Sequence, residues 1–135
     1  MNAQIINLPK IEDPRGNLSF VQDFDQIPFK IERIYWIYDV PGGKKREGFA
    51  YKSQQVFIVA LSGSVDIVVD NGYESQKFQL NRSYFGLFIG SCIWRHMENF
   101  STNALILVLS SSKDFSEDYI SDYHEFLKYT KDAWC

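Results

Sequence analysis

The sequence predicts an all-β fold, a sandwich or barrel built from short and mostly antiparallel strands. Three observations lead to this prediction. Apolar or alternating runs of five to eight residues recur along the chain, turn-forming residues separate them, and a helical pattern occurs only near the C-terminal end. Apolar residues make up 45% of the chain and aromatic residues 16%, a composition typical of a compact fold rich in β-formers.

Nine runs have the length expected of strands. Most are rich in β-branched or aromatic residues, which favour extended backbone, and several alternate polar with apolar side chains. No amphipathic helical segment separates consecutive runs, which favours hairpins over parallel crossovers. The runs are residues 4–8, 18–23, 31–38, 56–61, 65–69, 75–80, 85–89, 92–97 and 104–109.

The segments between these runs carry residues typical of tight turns. The Ser-Gly pair at 62–63 joins two runs, and the Asp-Asn-Gly sequence at 70–72 is a strong hairpin signal. Pro-Gly-Gly at 41–43 and Asn-Arg-Ser at 81–83 interrupt the chain in the same way. Antiparallel pairing of neighbouring runs is therefore expected.

Only the end of the chain predicts a helix. Between residues 116 and 131, aromatic and aliphatic side chains recur at roughly helical spacing among acidic and basic residues. We expect a short C-terminal helix that packs on the barrel.

Size and charge restrict the class of protein. A chain of 135 residues suits a single domain over 1–135. A net charge of −3 gives no general attraction to nucleic acid or to an anionic membrane, and no apolar run is long enough to cross one. The N-terminal residues lack an export-signal pattern, so we expect a cytoplasmic protein with Cys92 and Cys135 reduced.

Five segments are more informative than composition because their order and spacing can be compared with known families. They are IEDPRGNL at 11–18, RIYWIYD at 33–39, LSGSV at 61–65, GLFIG at 86–90 and WRHM at 94–97. On these segments the chain resembles, nearly end to end, the sugar-nucleotide 3,4-ketoisomerases, also seen as WxcM-like domains. Members of that family convert a dTDP-4-keto-6-deoxyhexose to its 3-keto isomer in deoxysugar biosynthesis.

The resemblance implies a fold and a reaction. The fold would be a cupin-type jelly-roll β-barrel with a short C-terminal helix and a site for a dTDP-linked sugar in its mouth. The reaction would use no metal and no cofactor, with a proton carried between adjacent sugar carbons through an enediol. The family also implies a homodimer, in which an N-terminal strand such as residues 5–8 could pair with the partner's sheet edge.

The same resemblance implies the substrate-binding residues. Arg15 and Arg46 would bind the nucleotide or sugar, since a guanidinium can bind two pyrophosphate oxygens at once. Tyr35 and Arg95 would lie near the sugar, and Trp94 would form an aromatic wall. Considered without the resemblance, the arginines could equally be surface residues, and the two aromatic residues could be packing groups. Phe49 and Lys52 complete the set of substrate-binding residues that the resemblance implies.

The proton carrier of the family is missing from this chain. Relatives have Arg-Gly-X-His-Ala-His-Lys where this sequence has REGFAYK at 46–52, so Phe49 and Tyr51 occupy the positions of two histidines. Imidazole accepts and returns a proton near neutral pH, whereas phenylalanine cannot. Tyr51 is the candidate proton carrier. A phenol has a reference pKa of about 10, so it needs nearby cations to act as a base.

Three functions are compatible with these residues. The chain could be an isomerase that uses Tyr51, a catalytically inactive relative that binds a sugar nucleotide or regulates a partner, or a structural module whose mouth is filled by Phe49 and Tyr51. Strand alternation predicts that His96 faces away from Arg95, and His124 lies in the predicted helix. Because these two histidines are far apart in sequence, we expect no bound metal.

Overall fold

The computed structural model describes residues 1–113 and 116–132, apart from the side chain of Glu47. Twelve strands, one short 3₁₀ helix and one α-helix are present in this part of the chain. They are β1 (Ala3–Asn7), β2 (Lys10–Ile11), β3 (Leu18–Ser19), β4 (Arg33–Ile37), β5 (Arg46–Tyr51), β6 (Val56–Ser62), β7 (Val65–Asp70), β8 (Ser75–Leu80), β9 (Phe85–Ile89), β10 (Trp94–Glu98), β11 (Leu105–Ser110), the 3₁₀ helix Ser116–Asp118, β12 (Tyr119–Ile120) and α1 (Tyr123–Asp132).

Two antiparallel five-stranded sheets form the jelly-roll barrel that the sequence predicted. The first sheet has the order β1-β9-β6-β11-β4, and the second has the order β12-β5-β10-β7-β8. A separate hairpin joins β2 to β3. Strand β1 pairs with β9 at the edge of the first sheet.

The main core lies between the two sheets. Along β7, Val65, Ile67 and Val69 are fully buried, whereas the residues between them are partly exposed. This alternation is the period of two that a strand imposes on its side chains. The facing strands contribute Ile58 and Leu87, also buried, so apolar burial between the sheets provides the main stabilisation of the barrel.

Each sheet also carries apolar packing on its outer face. Ile27 and Phe29, from the segment between β3 and β4, cover the first sheet beside Phe57. On the second sheet, Phe126 of α1 is fully buried against Ala50 of β5. The C-terminal helix therefore packs on the strand whose other face lines the barrel interior.

The predicted helix over 116–131 was correct in kind and wrong at its start, because α1 begins at Tyr123. Upstream of it, the Asp118 side chain is buried and accepts hydrogen bonds from the backbone N–H groups of Ser53 and Gln54. These bonds hold the segment extended beside β5, where Tyr119 pairs with Tyr51. The strand runs were more accurate: 75–80 and 85–89 match β8 and β9.

Turn chemistry follows the sequence closely. Gly63 and Gly72, in the connections before and after β7, have φ of 71° and 94°, a region that favours glycine. Cys92 also has a positive φ of 60°, so β10 begins after it at Trp94.

Cys92 is disulfide-bonded, so the expected reduced thiol was wrong there; Cys135 lies outside the described residues. No described helix has the length and apolarity to cross a membrane.

Candidate functional site

A cavity of about 260 Å³ lies inside the barrel. It is bounded by β4 at the edge of the first sheet and by β5, β10 and β12 of the second. Its walls combine cationic, phenolic and apolar side chains, which suits a small polar ligand with an apolar part. The lining residues are Arg33, Tyr35, Ile37, Arg46, Phe49, Tyr51, Arg95, His96, Met97 and Tyr119.

A β-bulge in β5 brings Arg46 to the cavity. Arg46 pairs with Met97 of β10 and Phe49 pairs with Arg95, so two residues on β5 oppose one on β10. In a regular strand, residues three positions apart such as Arg46 and Phe49 would face opposite sides of the sheet. Gly48 lies in the bulge, where a Cβ atom would collide with the indole ring of Trp94.

Arg95 is the most deeply buried charged group of the site, with 1% of its surface exposed. Its Nε donates a hydrogen bond to the Ile93 carbonyl at 3.2 Å, while Nη2 has no hydrogen-bond partner among the described residues. The guanidinium lies 5.1 Å from the ring centroid of Phe49 and 5.3 Å from that of Tyr51. Burial lowers the pKa of Arg95 from 12.5 to about 10, so the group still carries its charge at neutral pH.

Two tyrosines and a second arginine meet beside Arg95. Arg33 donates a hydrogen bond from Nη2 to the hydroxyl oxygen of Tyr51 at 3.2 Å, and its guanidinium lies 4.6 Å from the ring centroid of Tyr35. Burial raises the pKa of Tyr35 to about 12; Tyr51 adds to this rise, and Arg95 and Arg33 oppose it. Tyr35 therefore keeps its proton at neutral pH and can act as a donor.

The remaining wall is aromatic. The rings of Phe49 and Tyr119 stack with centroids 5.1 Å apart and an interplanar angle of 28°. Tyr51 meets Phe49 edge-on at 5.2 Å. Tyr51 is almost fully buried, whereas Tyr119 is 45% exposed at the mouth. The two residues at the family's histidine positions thus belong to one aromatic cluster, and the cavity beside them remains open.

Of the eight residues predicted for the site, five line this cavity: Tyr35, Arg46, Phe49, Tyr51 and Arg95.

The other three lie elsewhere. Arg15 is 90% exposed in the β2–β3 hairpin, where its Nε and Nη2 donate to the Asp13 carboxylate at 2.9 Å each and hold the pKa of that carboxylate below its ordinary value. Lys52 points to the ring of Tyr129 on α1, 5.4 Å away. Trp94 packs on the outer face of the second sheet against Phe126 of the same helix.

The two histidines differ in position. His96 is partly exposed on β10 and is among the lining residues of the cavity, but its Nε2 lies 3.5 Å from the Glu98 carboxylate. His124 is exposed on α1. Within the described ranges, no group of three or more His, Cys, Asp or Glu side chains could hold a metal ion.

The predicted set lacked five of the residues that line the cavity: Arg33, Ile37, His96, Met97 and Tyr119. Arg33 could have been found, because it lies two residues before Tyr35 in a strand and must share its face. Tyr119 had no such signal, because its segment was assigned to the helix and its strand has only two residues.

Comparisons with known proteins agree on one family. The family FdtA, described as WxcM-like, C-terminal, matches residues 1–131. The chain is 36% identical over 129 residues to the TDP-4-oxo-6-deoxy-alpha-D-glucose-3,4-oxoisomerase of Aneurinibacillus thermoaerophilus, covering 96% of this chain and 93% of that one.

Solved structures give the same result. The WlaRB TDP-quinovose 3,4-ketoisomerase from Campylobacter jejuni superimposes with a TM-score of 0.91 at 39% identity, covering 94% of this chain and 98% of that one. A variant of the 3,4-ketoisomerase QdtA from Thermoanaerobacterium thermosaccharolyticum, crystallised with TDP-4-keto-6-deoxyglucose, gives a TM-score of 0.94 at 31% identity, covering 98% of this chain and 96% of that one.

Proposed function

The chain belongs to the FdtA family, described as WxcM-like, C-terminal, and on that premise we propose that it is a TDP-sugar 3,4-ketoisomerase whose proton carrier is Tyr51. The observation that supports this proposal most is a phenol at the family's histidine position, inside an open cavity and next to two arginines. The substrate would be a TDP-4-keto-6-deoxyhexose, as in the relatives.

The reaction needs one base and one anion-stabilising group. The base removes the proton from C3 of the sugar, and the electron pair forms a C3–C4 enediolate with its charge on O4. The proton returns to C4 while the O3 hydroxyl loses its proton and O4 gains one. No atom is gained or lost, so neither a redox partner nor a second substrate is required.

Three phenols line the cavity, Tyr35, Tyr51 and Tyr119, and we assign the role of base to Tyr51. A phenol acts as a base only after it has lost its proton. Arg33 donates directly to the Tyr51 oxygen at 3.2 Å, and Arg95 lies against its ring. Tyr35, with a pKa raised to about 12, stays protonated and can donate to the substrate. In this proposal Tyr35 donates a hydrogen bond to the substrate and Tyr51 transfers the proton.

Arg95 is the group that would hold O4. Its Nη2 is buried and has no partner among the described residues, so it can donate to an oxygen that becomes negative during the reaction. Arg46, on the same side of β5 as Phe49 and closer to solvent, would bind the pyrophosphate. Substrate-binding roles for Arg15, Lys52 and Trp94 stay predictions.

A second candidate is a sugar-nucleotide-binding protein without catalysis. Phe49 favours it, because this side chain has no exchangeable proton and packs on the guanidinium of Arg95. Such a protein would bind the TDP-sugar and leave C3 untouched.

An NMR experiment separates these candidates. The protein is mixed with TDP-4-keto-6-deoxyglucose in deuterated water, and binding and exchange at C3 are followed together. Exchange with formation of the 3-keto product supports the isomerase. Binding without exchange supports the non-catalytic protein, and absence of binding contradicts both.

Substitution of Tyr51 tests the proton carrier. In Tyr51→Phe we expect kcat to fall about 100- to 1,000-fold with KM changed less than about threefold, because general-base catalysis supplies about that factor. Tyr73→Phe is the matched control, since Tyr73 is 85% exposed in the β7–β8 turn. An active wild type with an equally active Tyr51→Phe variant would exclude Tyr51.

The assembly we propose is a homodimer in the cytoplasm. The outer face of the first sheet exposes Ile34, Trp36 and Leu61 to 53%, 55% and 44%, which is an apolar surface suited to a second copy. Light scattering coupled to size exclusion should give twice the chain mass for the wild type. Trp36→Glu should give the mass of one chain, with Tyr73→Glu as control; a wild-type monomer contradicts the dimer.

A further inference from the structure

Two chemically different walls flank Tyr51 in the cavity, whose lining is completed by Ile37, Arg46, His96 and Met97. One wall is polar and carries Arg33, Tyr35 and Arg95, all able to donate hydrogen bonds. The other wall consists of the stacked rings of Phe49 and Tyr119, whose centroids lie 5.2 and 6.1 Å from that of Tyr51. Aromatic ring faces offer apolar surface and no hydrogen-bond donor.

Residues 116–120, which precede α1, hold the aromatic wall in position. The Asp118 carboxylate accepts hydrogen bonds from Ser53 N at 2.8 Å, Ser53 Oγ at 2.6 Å and Gln54 N at 3.1 Å. The Lys52 N–H donates to the Asp118 carbonyl at 2.8 Å. Tyr119 follows directly, so its ring is fixed against Phe49 before any ligand enters. This preorganisation is what a recognition surface needs.

The covalent structure of the sugar determines what meets this wall. The reacting carbons C3 and C4 must face the Tyr51 hydroxyl, and C6 is only two bonds from C4. With the oxygens on C3 and C4 directed to the polar wall, C6 can reach the aromatic wall. Resting on the proposed function, we propose that Phe49 and Tyr119 recognise the C6 methyl group of a 6-deoxyhexose and disfavour sugars with a hydroxyl on C6.

The physical basis is a difference in hydrogen bonding. A methyl group buries apolar surface against the two rings, which is favourable. A hydroxyl in the same place loses hydrogen bonds to water and gains none from the ring faces, which is unfavourable. Because Tyr119 is 45% exposed, the wall is partly hydrated. The discrimination is therefore about tenfold, at the lower end for an added hydroxyl in an apolar pocket.

The test compares two unreactive ligands, TDP-6-deoxyglucose and TDP-glucose, by isothermal titration calorimetry. TDP alone is titrated as the reference for nucleotide binding. For the wild type we expect TDP-6-deoxyglucose to bind about tenfold more tightly than TDP-glucose. In Tyr119→Ser the opened wall admits water, so the preference should fall below about threefold, mainly through weaker binding of the 6-deoxy ligand. The matched control Tyr73→Ser should keep the wild-type ratio.

The outcomes separate this inference from the proposed function. If TDP binds and the wild type does not prefer the 6-deoxy ligand, or if Tyr119→Ser keeps the full preference, the methyl-recognition role is refuted and the ketoisomerase proposal stands. If neither TDP nor either sugar nucleotide binds, both proposals fall together. A tenfold preference that disappears only in Tyr119→Ser supports the role of the aromatic wall.

Discussion

Replacement of Arg95 by methionine should make the protein more stable and inactive. A pKa lowered by burial from 12.5 to about 10 means that the folded state disfavours the protonated guanidinium by about 3 kcal/mol, at about 1.4 kcal/mol per tenfold change in proton affinity. The folded-state pKa is lower than the unfolded one, so this penalty is fully present below pH 10. It is relieved only as the pH rises from 10 towards 12.5.

Contacts of Arg95 that methionine cannot replace reduce the expected gain. The variant loses the hydrogen bond from Nε to Ile93, worth about 1 kcal/mol, and two cation–π contacts with Phe49 and Tyr51, together about 1 kcal/mol. The net expectation is a stabilisation of about 1 kcal/mol, or about 4 °C in Tm. Activity should fall at least about 100-fold, because the group that we propose to hold O4 is gone.

Urea unfolding followed by fluorescence measures this difference, with Arg46→Met as control. Arg46 is exposed, so its replacement should change the free energy of unfolding by less than about 0.5 kcal/mol. A loss of stability of more than about 1 kcal/mol in Arg95→Met would contradict the reasoning. It would mean that the buried guanidinium is compensated by interactions stronger than those described above.

Three further outcomes can be measured on single variants. In Tyr35→Phe the loss of stability at alkaline pH should be smaller than in the wild type. The folded-state pKa of Tyr35, about 12, exceeds the ordinary 10, so the stability contributed by the protonated phenol is present below pH 10 and is lost between pH 10 and 12. Unfolding curves of the two proteins across that pH range should therefore differ. In Asp118→Ala the buried N–H groups of Ser53 and Gln54 lose their acceptor, so urea unfolding should reveal a loss of about 2–4 kcal/mol; an unchanged midpoint would contradict that role. Gly48→Ala should lower stability by about 1–3 kcal/mol through the collision with Trp94, and a neutral result in thermal unfolding would exclude that contact.

The sequence predicted most of the barrel because its strands obey a simple period. Where one face of a strand is buried and the other solvated, as in β7, apolar and polar residues alternate, so the strand can be recognised in the sequence. Strand β5 was missed among the predicted runs for a physical reason. Its bulge gives Arg46 and Phe49 the same face at an odd separation, so a regular alternation does not exist there.

The candidate site was predictable only in part. Resemblance supplied Tyr51 and Arg95, which the structure brings together, but it could not reveal that Trp94 faces outward behind Gly48. The contribution of Tyr119 depends on hydrogen bonds made by Asp118 to residues 64 and 65 positions away in the sequence. No local pattern encodes such distant contacts.

The short strand β12 has a further consequence for the solubility of the chain. It pairs with β5 and so occupies the outer edge of the second sheet, while Ile120 and Phe126 cover Ala50. A chain ending at residue 113 would keep β1 to β11 but lose the pairing of β12 with Ala50 and Tyr51, which leaves the backbone N–H and C=O groups of that part of β5 open. Open edges of this kind template pairing between molecules. The residues from 116 onward thus protect the chain from aggregation. Versions of the protein that lack them should precipitate before they unfold.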